Sequence, residues 1–139
     1  MPAISLDELL KGDKAGTHIT SGPLIGYKKV ECVNAGQRIV VIAKVEIPKN
    51  STIIRPFIIG CSYTTNKIRT DKLIVIGFYD MDRTLLSPDL LYRSIFCPGY
   101  LYVKDKLHIP DEFDYDEQED CTNGLHLFLD ENSAREYPI

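Results

Sequence analysis

The sequence predicts an α+β, mainly β fold: a single compact antiparallel-sheet domain with short helices at its two ends. Three observations predict it. Strand-length segments with period-two patterning recur along the chain, the clearest being "RIVVIAKVEI" and "KIRTDKLIVIGFYD". Short turn-rich stretches of Gly, Pro, Asn and Asp separate them. No regular strand–helix alternation of the kind that builds parallel sheets is visible. The length of 139 residues, 44% of them hydrophobic and 26% charged, suits one globular domain. A chain this size buries roughly 68% of its unfolded surface, so it needs neither disulfide nor metal to hold together.

The elements follow in order. "SLDELLKG" carries a helix signature: Ser5 as cap, Glu8 at the capping-box position and Gly12 as stop. "GDKAGTHITSGPLIG" is turn-rich and reads as loop. Residues 1–25 are therefore expected to be a helix and a loop, leading into a β-rich domain over 26–139. "LIGYKKVEC" suggests the first strand. In "RIVVIAKVEI", Ile39, Val41, Ala43, Val45 and Ile47 share one face, and Pro48 and Asn50 end the strand. "STIIRPFIIG" is broken by Pro56 and reads as an edge strand or irregular. In "KIRTDKLIVIGFYD", Gly77 suggests a bulge. "LLSPDLLYRSIF" is ambiguous, with a short helix open from Pro88. "GYLYVKDKLHIP" reads as one or two short strands meeting near Lys104 and Asp105. "GLHLFL" is a last strand, and "DENSAREY" a short helix capped by Asp130.

No stretch approaches the ~20 apolar residues of a membrane-spanning helix. The N-terminus lacks the basic and apolar regions of a secretory signal. These features point to an unsecreted protein whose four cysteines stay reduced. The net charge of −4 argues against a general nucleic-acid binder. Its distribution is uneven. Residues 1–70 hold ten Lys/Arg against five Asp/Glu, a balance of +5; residues 71–139 hold six against fifteen, a balance of −9. Such halves would suit self-association, or docking of one half on a charged protein.

No complete catalytic set is visible. Phosphate-loop, dinucleotide and serine-hydrolase signatures are absent. Zinc would require Cys97, His108, Cys121 and His126 to converge from distant segments, with no paired ligand spacing. Cys121 follows an acidic run, and carboxylates raise a thiol pKa, which makes it a poor nucleophile. That run, Asp111–Asp120, has seven carboxylates but Glu119 where a calcium loop needs glycine. Basic clusters are limited to Lys28–Lys29 and the trio Arg55, Lys67 and Arg69, which with Tyr63 would give little nucleic-acid affinity at physiological salt. In "GLHLFL", Leu125, Leu127 and Leu129 share one face, while His126, Phe128 and Asp130 share the other. His126 would then line a cleft or sit half-buried with one nitrogen satisfied.

Together "GYKKV", "VVIAKVEIPKNS", "NKIRTDKLIVIG" and "YLYVKDKLHIPDEFDYDEQEDCTNGLHLFLDENSAREY" form an ordered pattern. It resembles an uncharacterised domain family of giant and other nucleocytoplasmic large DNA viruses, often found beside pentapeptide-like repeats and marked by a C-x-x-G-I-H-F-F motif. The match spans about residues 26–137, with Leu127 in place of the usual Phe and Asp105 in place of the usual Gly. The resemblance implies a viral protein with a β-rich fold and no assigned reaction; no pentapeptide repeats accompany it here. Its motif residues, with Tyr27, define the candidate ligand or structural cluster: Tyr27, Lys67, Arg69, Asp71, Cys121, Gly124 and His126. Gly124 allows a positive-φ turn. Lys67 or Arg69 would pair with the acidic run or with Asp130.

The expectation is a small viral non-catalytic structural or protein-interaction protein, such as a virion component, acting in the host cytoplasm or virion. Its partners would be viral or host proteins, with no catalytic residue, metal or cofactor. The alternative is an enzyme or small-ligand-binding domain with a cleft near His126 and Arg69.

Overall fold

The two longest strands form one hairpin. β3 (Leu24–Asn34) and β4 (Gln37–Ile47) pair antiparallel from Leu24↔Ile47 to Asn34↔Gln37. Ala35 and Gly36 turn the chain with φ of 51° and 78°, the paired positive angles of a two-residue hairpin loop. The computed structural model describes residues 3–5, 16–56, 67–97, 99–115 and 124–137. The helix expected over residues 5–12 thus lies mostly outside the described residues.

Among these residues, eleven strands join one sheet. The others are β1 (Ala3–Ile4), β2 (Gly16–Thr20), β5 (Thr52–Arg55), β6 (Lys67–Thr70) and β7 (Leu73–Tyr79). Three very short strands follow, β8 (Leu91–Arg93), β9 (Leu101–Tyr102) and β10 (Leu107–His108), and then β11 (Leu125–Phe128). The main path runs β1-β2-β5-β6-β11-β3-β4-β7-β10, and β8 joins β3 and β9. Pairing is antiparallel except for β1 beside β2, so the sheet is mixed. One helix, α1 (Glu131–Glu136), closes the described chain; Asp130 caps it by accepting from the Ser133 amide at 2.8 Å.

Three expectations change. Gly16–Thr20 is strand, where a loop is expected before Leu24. Its Thr20 is buried and satisfied, donating from Oγ1 to the Pro48 carbonyl and accepting from the Ser51 amide. β5 is interior, between β2 and β6, because Pro56 follows the strand and removes no ladder donor from it. No helix starts at Pro88; Asp89 and Leu90 turn directly into β8. The bulge at Gly77 is present. Lys44 faces Gly77 while Val45 faces Val75, which leaves Ile76 as the extra residue. The phase shift turns Phe78 inward, where its ring stacks on Tyr92 with centroids 3.5 Å apart.

The core lies on one face of the sheet and is built mainly from Val30, Val41, Val45, Ile53, Val75 and Leu127 with their neighbours. β11 reaches β3 at Gly26, where an added Cβ would lie 2.2 Å from Leu127 Cδ1 and 3.0 Å from the Phe128 carbonyl oxygen. Close approach of two backbones is the reason for glycine at this point.

Candidate functional site

One edge of β3 changes partner along its length. Tyr27 faces Phe128 of β11, and Glu31 faces Arg93 of β8. Between them, at Lys28–Val30, β3 has no strand partner on that edge among the described residues. The sheet forks here, and a cavity of about 670 Å³ opens in the fork. That is the size of small-molecule sites.

Three lysines line it: Lys28 and Lys29 from β3, and Lys67 from β6. Lys28 follows Leu24 and Gly26 on the inward face of β3, so its stem enters the core side. Its ammonium donates to the His126 carbonyl at 2.8 Å and lies 5.8 Å from the Tyr102 ring centroid. Burial, helped by the Lys67 charge, lowers its pKa to about 8. Lys29 donates to the Tyr137 carbonyl at 2.7 Å. Lys67 donates to the Tyr137 hydroxyl at 3.3 Å, with its ammonium 5.1 Å from the same ring centroid. Tyr137, the residue after α1, therefore gathers two lysines from outside the sheet.

The walls are aromatic: Phe96, Tyr100, Tyr102, Phe128 and Tyr137. Asp111 and Glu112 also line the opening; both are exposed, whereas the lysines are half-buried, and burial, helped by the Asp111 charge, raises the Tyr100 phenol. Beside Tyr102, His108 is buried; its Nε2 lies 3.1 Å from the Val103 amide nitrogen. The same nitrogen lies 3.3 Å from the Val103 carbonyl oxygen, and Nδ1 lies 3.3 Å from the Tyr100 hydroxyl, so the ring is held on both sides. Burial holds this imidazole below the ordinary histidine range. Burial also pushes the Tyr102 phenol up and keeps it neutral.

The sequence-derived cluster divides. His126 and Gly124 line the cavity with Lys67. Arg69 faces His126 across the β6–β11 pair, but it is fully buried and its Nε donates to the Asp114 carbonyl at 2.9 Å. It fastens the acidic segment to the body by a backbone acceptor. Gly124 has φ of +144°, and an added Cβ would crowd the Phe113 ring and Arg69 Cδ, both at 3.1 Å. Asp71 lies elsewhere, accepting from the Thr52 amide at 3.0 Å between β5 and β6. Tyr27 sits beside the fork without lining it. Cys121 and Tyr63 lie outside the described residues. Of the trio Arg55, Lys67 and Arg69, the two arginines are buried, and only Lys67 reaches the cavity.

Sequence reasoning left Lys28, Tyr100 and Tyr102 out of the site. The signal available for Lys28 was a lysine on the inward, apolar face of its strand. Tyr100 and Tyr102 gave none, because their position depends on β8 and β9 folding across the fork. Among the described residues, no three His, Cys, Asp or Glu side chains are grouped as metal ligands, and no helix is long and apolar enough to cross a membrane.

Residues 16–134 match a family of unknown function, DUF5758, and the chain belongs to it. It is similar to uncharacterized protein L223 of Acanthamoeba polyphaga mimivirus, 26% identical over 146 residues covering 92% of each chain. It is also similar to uncharacterized protein L227 of the same virus, 29% identical over 104 residues, covering 70% of this chain and 59% of that one. Both relatives belong to a giant virus, which agrees with the resemblance read from the motifs. No solved structure matches the chain.

Proposed function

We propose that this chain is a small-ligand-binding domain, and that its ligand is an anion carrying an apolar ring. The supporting observation is the convergence of Lys28, Lys29 and Lys67 on one aromatic-walled cavity of about 670 Å³. Each of these half-buried ammonium groups donates to one neutral oxygen and keeps N–H groups for a ligand's anionic oxygens. The aromatic walls supply apolar area and faces for a ring. His126, on the wall of the same cavity, is a donor or acceptor for the ligand's polar rim.

The test is a calorimetric titration with phenyl phosphate, which joins a dianion to a ring. Binding at a single site is expected, weakened at least tenfold in a Lys28→Met, Lys67→Met double variant that still unfolds cooperatively. Absence of heat, or equal affinity in that variant, overturns the proposal.

The protein-interaction reading draws on a different observation. Leu91, Phe96, Leu101, Val103, Leu107 and Ile109 are all exposed, Phe96 by 74%. Exposed apolar side chains this numerous over β8–β10 fit a protein-contact surface. A ligand-binding domain with such a surface would serve as an adaptor in the host cytoplasm or the virion. Cross-linking in infected cells tests this: adducts through residues 91–109 support it, and adducts confined to other surfaces contradict it.

A further inference from the structure

The cavity holds a group that anion binding alone does not use. Lys28 is set in the floor of the fork, its Nζ anchored to the His126 carbonyl at 2.8 Å. Its neighbours are a second ammonium, Lys67, and the face of Tyr102. An amine half-buried beside another cation, in an aromatic-walled pocket, is the arrangement that keeps a lysine nucleophilic near neutral pH. The anchoring bond does not block this, since a neutral amine donates one N–H to the carbonyl and presents its lone pair to the cavity.

We propose that Lys28 captures the carbonyl carbon of an aldehyde or ketone bearing an anionic group, forming an imine in the fork. This rests on the anion-binding reading, which supplies the recognition: Lys67 and Lys29 hold the anionic group, and the aromatic walls hold the body. The neutral amine of Lys28 attacks the carbonyl carbon, and a C–N bond forms. The carbonyl oxygen takes up both protons that the nitrogen gives up and departs as water, which leaves C=N. No oxidant or reductant takes part. The His126 and Tyr100 side chains line the same cavity.

Charge supports the geometry. With a pKa near 8, about a quarter of Lys28 is free amine at pH 7.5, against about 0.1% for a lysine at the ordinary value. The lower basicity reduces intrinsic nucleophilicity, so the net advantage is smaller than this ratio.

The experiment uses the full chain and 4-formylbenzoate as probe. The imine is trapped with borohydride, and adducts are mapped by peptide mass spectrometry. At limiting probe and pH 7.5, Lys28 is expected to carry the adduct at roughly tenfold the rate of any other lysine. Benzaldehyde, which lacks the carboxylate, should label it several-fold less. Phenyl phosphate should protect it. Lys67→Met should slow it several-fold, because removing the neighbouring charge returns Lys28 toward its protonated form. Labelling spread evenly over surface lysines overturns the proposal, as does Lys28 labelling unaffected by phenyl phosphate. If phenyl phosphate binds and Lys28 is not enriched, imine capture fails while anion binding stands. If neither occurs, both fail.

Discussion

Lys28 illustrates how one side chain sets the character of the cavity. Leu24, Gly26, Val30 and Cys32 share its face of β3 and are buried, so a charge here has lost much of its hydration. The unfolded chain holds the Lys28 proton up to about 10.5, while the folded chain releases it near 8. Between these values the unfolded state binds more protons, so this group adds stability as pH rises from 8 to 10. Chemical denaturation of wild type and Lys28→Met checks the sign: the wild type should gain relative to the variant over that interval. His108 acts in the acid range. Its folded pKa is lowered by burial, so its contribution is present above about 6.5 and lost as pH falls below it. His108→Gln, which does not titrate, should lose less stability than wild type between pH 7 and 5. Gly124→Ala combines a positive φ with contacts at 3.1 Å and should cost about 2 kcal/mol in urea unfolding.

At the scale of elements, the site depends on interruption of a ladder. β3 is long enough to pair with β11 at one end and β8 at the other, and the unpaired stretch between them is the fork. The long strands, the bulge beside Gly77 and the capped C-terminal helix were legible in the sequence, because each has a local cause: alternation, a glycine, an Asp cap. The strand status of Gly16–Thr20 and the interior place of β5 were not, because both depend on partners distant in sequence. The cavity was not legible for the same reason. His126 was correctly placed on the face opposite Leu125 and Leu127, but which strands fail to meet beside it is a property of the whole sheet. Helix α1 is short and its cap matters. Asp130→Ala should cost about 1 kcal/mol and loosen Tyr137, the acceptor of both Lys29 and Lys67. The expected result is several-fold weaker binding of phenyl phosphate, read by calorimetry.

Across the whole molecule, the positive first half and the negative second half meet inside one chain. Arg69 holds the Asp114 backbone, and the lysines of β3 and β6 share a cavity with Asp111 and Glu112. Membership of a family of unknown function, with relatives in a giant virus, sets the biological frame without naming a ligand. The proposed function therefore rests on ligand binding at the cavity. Amide chemical shifts of the labelled chain, followed during titration with phenyl phosphate, test it most directly. The predicted result is saturable shifts concentrated at Lys28, Lys29, Lys67, His126 and Tyr137. Shifts scattered over the surface, or a saturable site away from the fork, would contradict it.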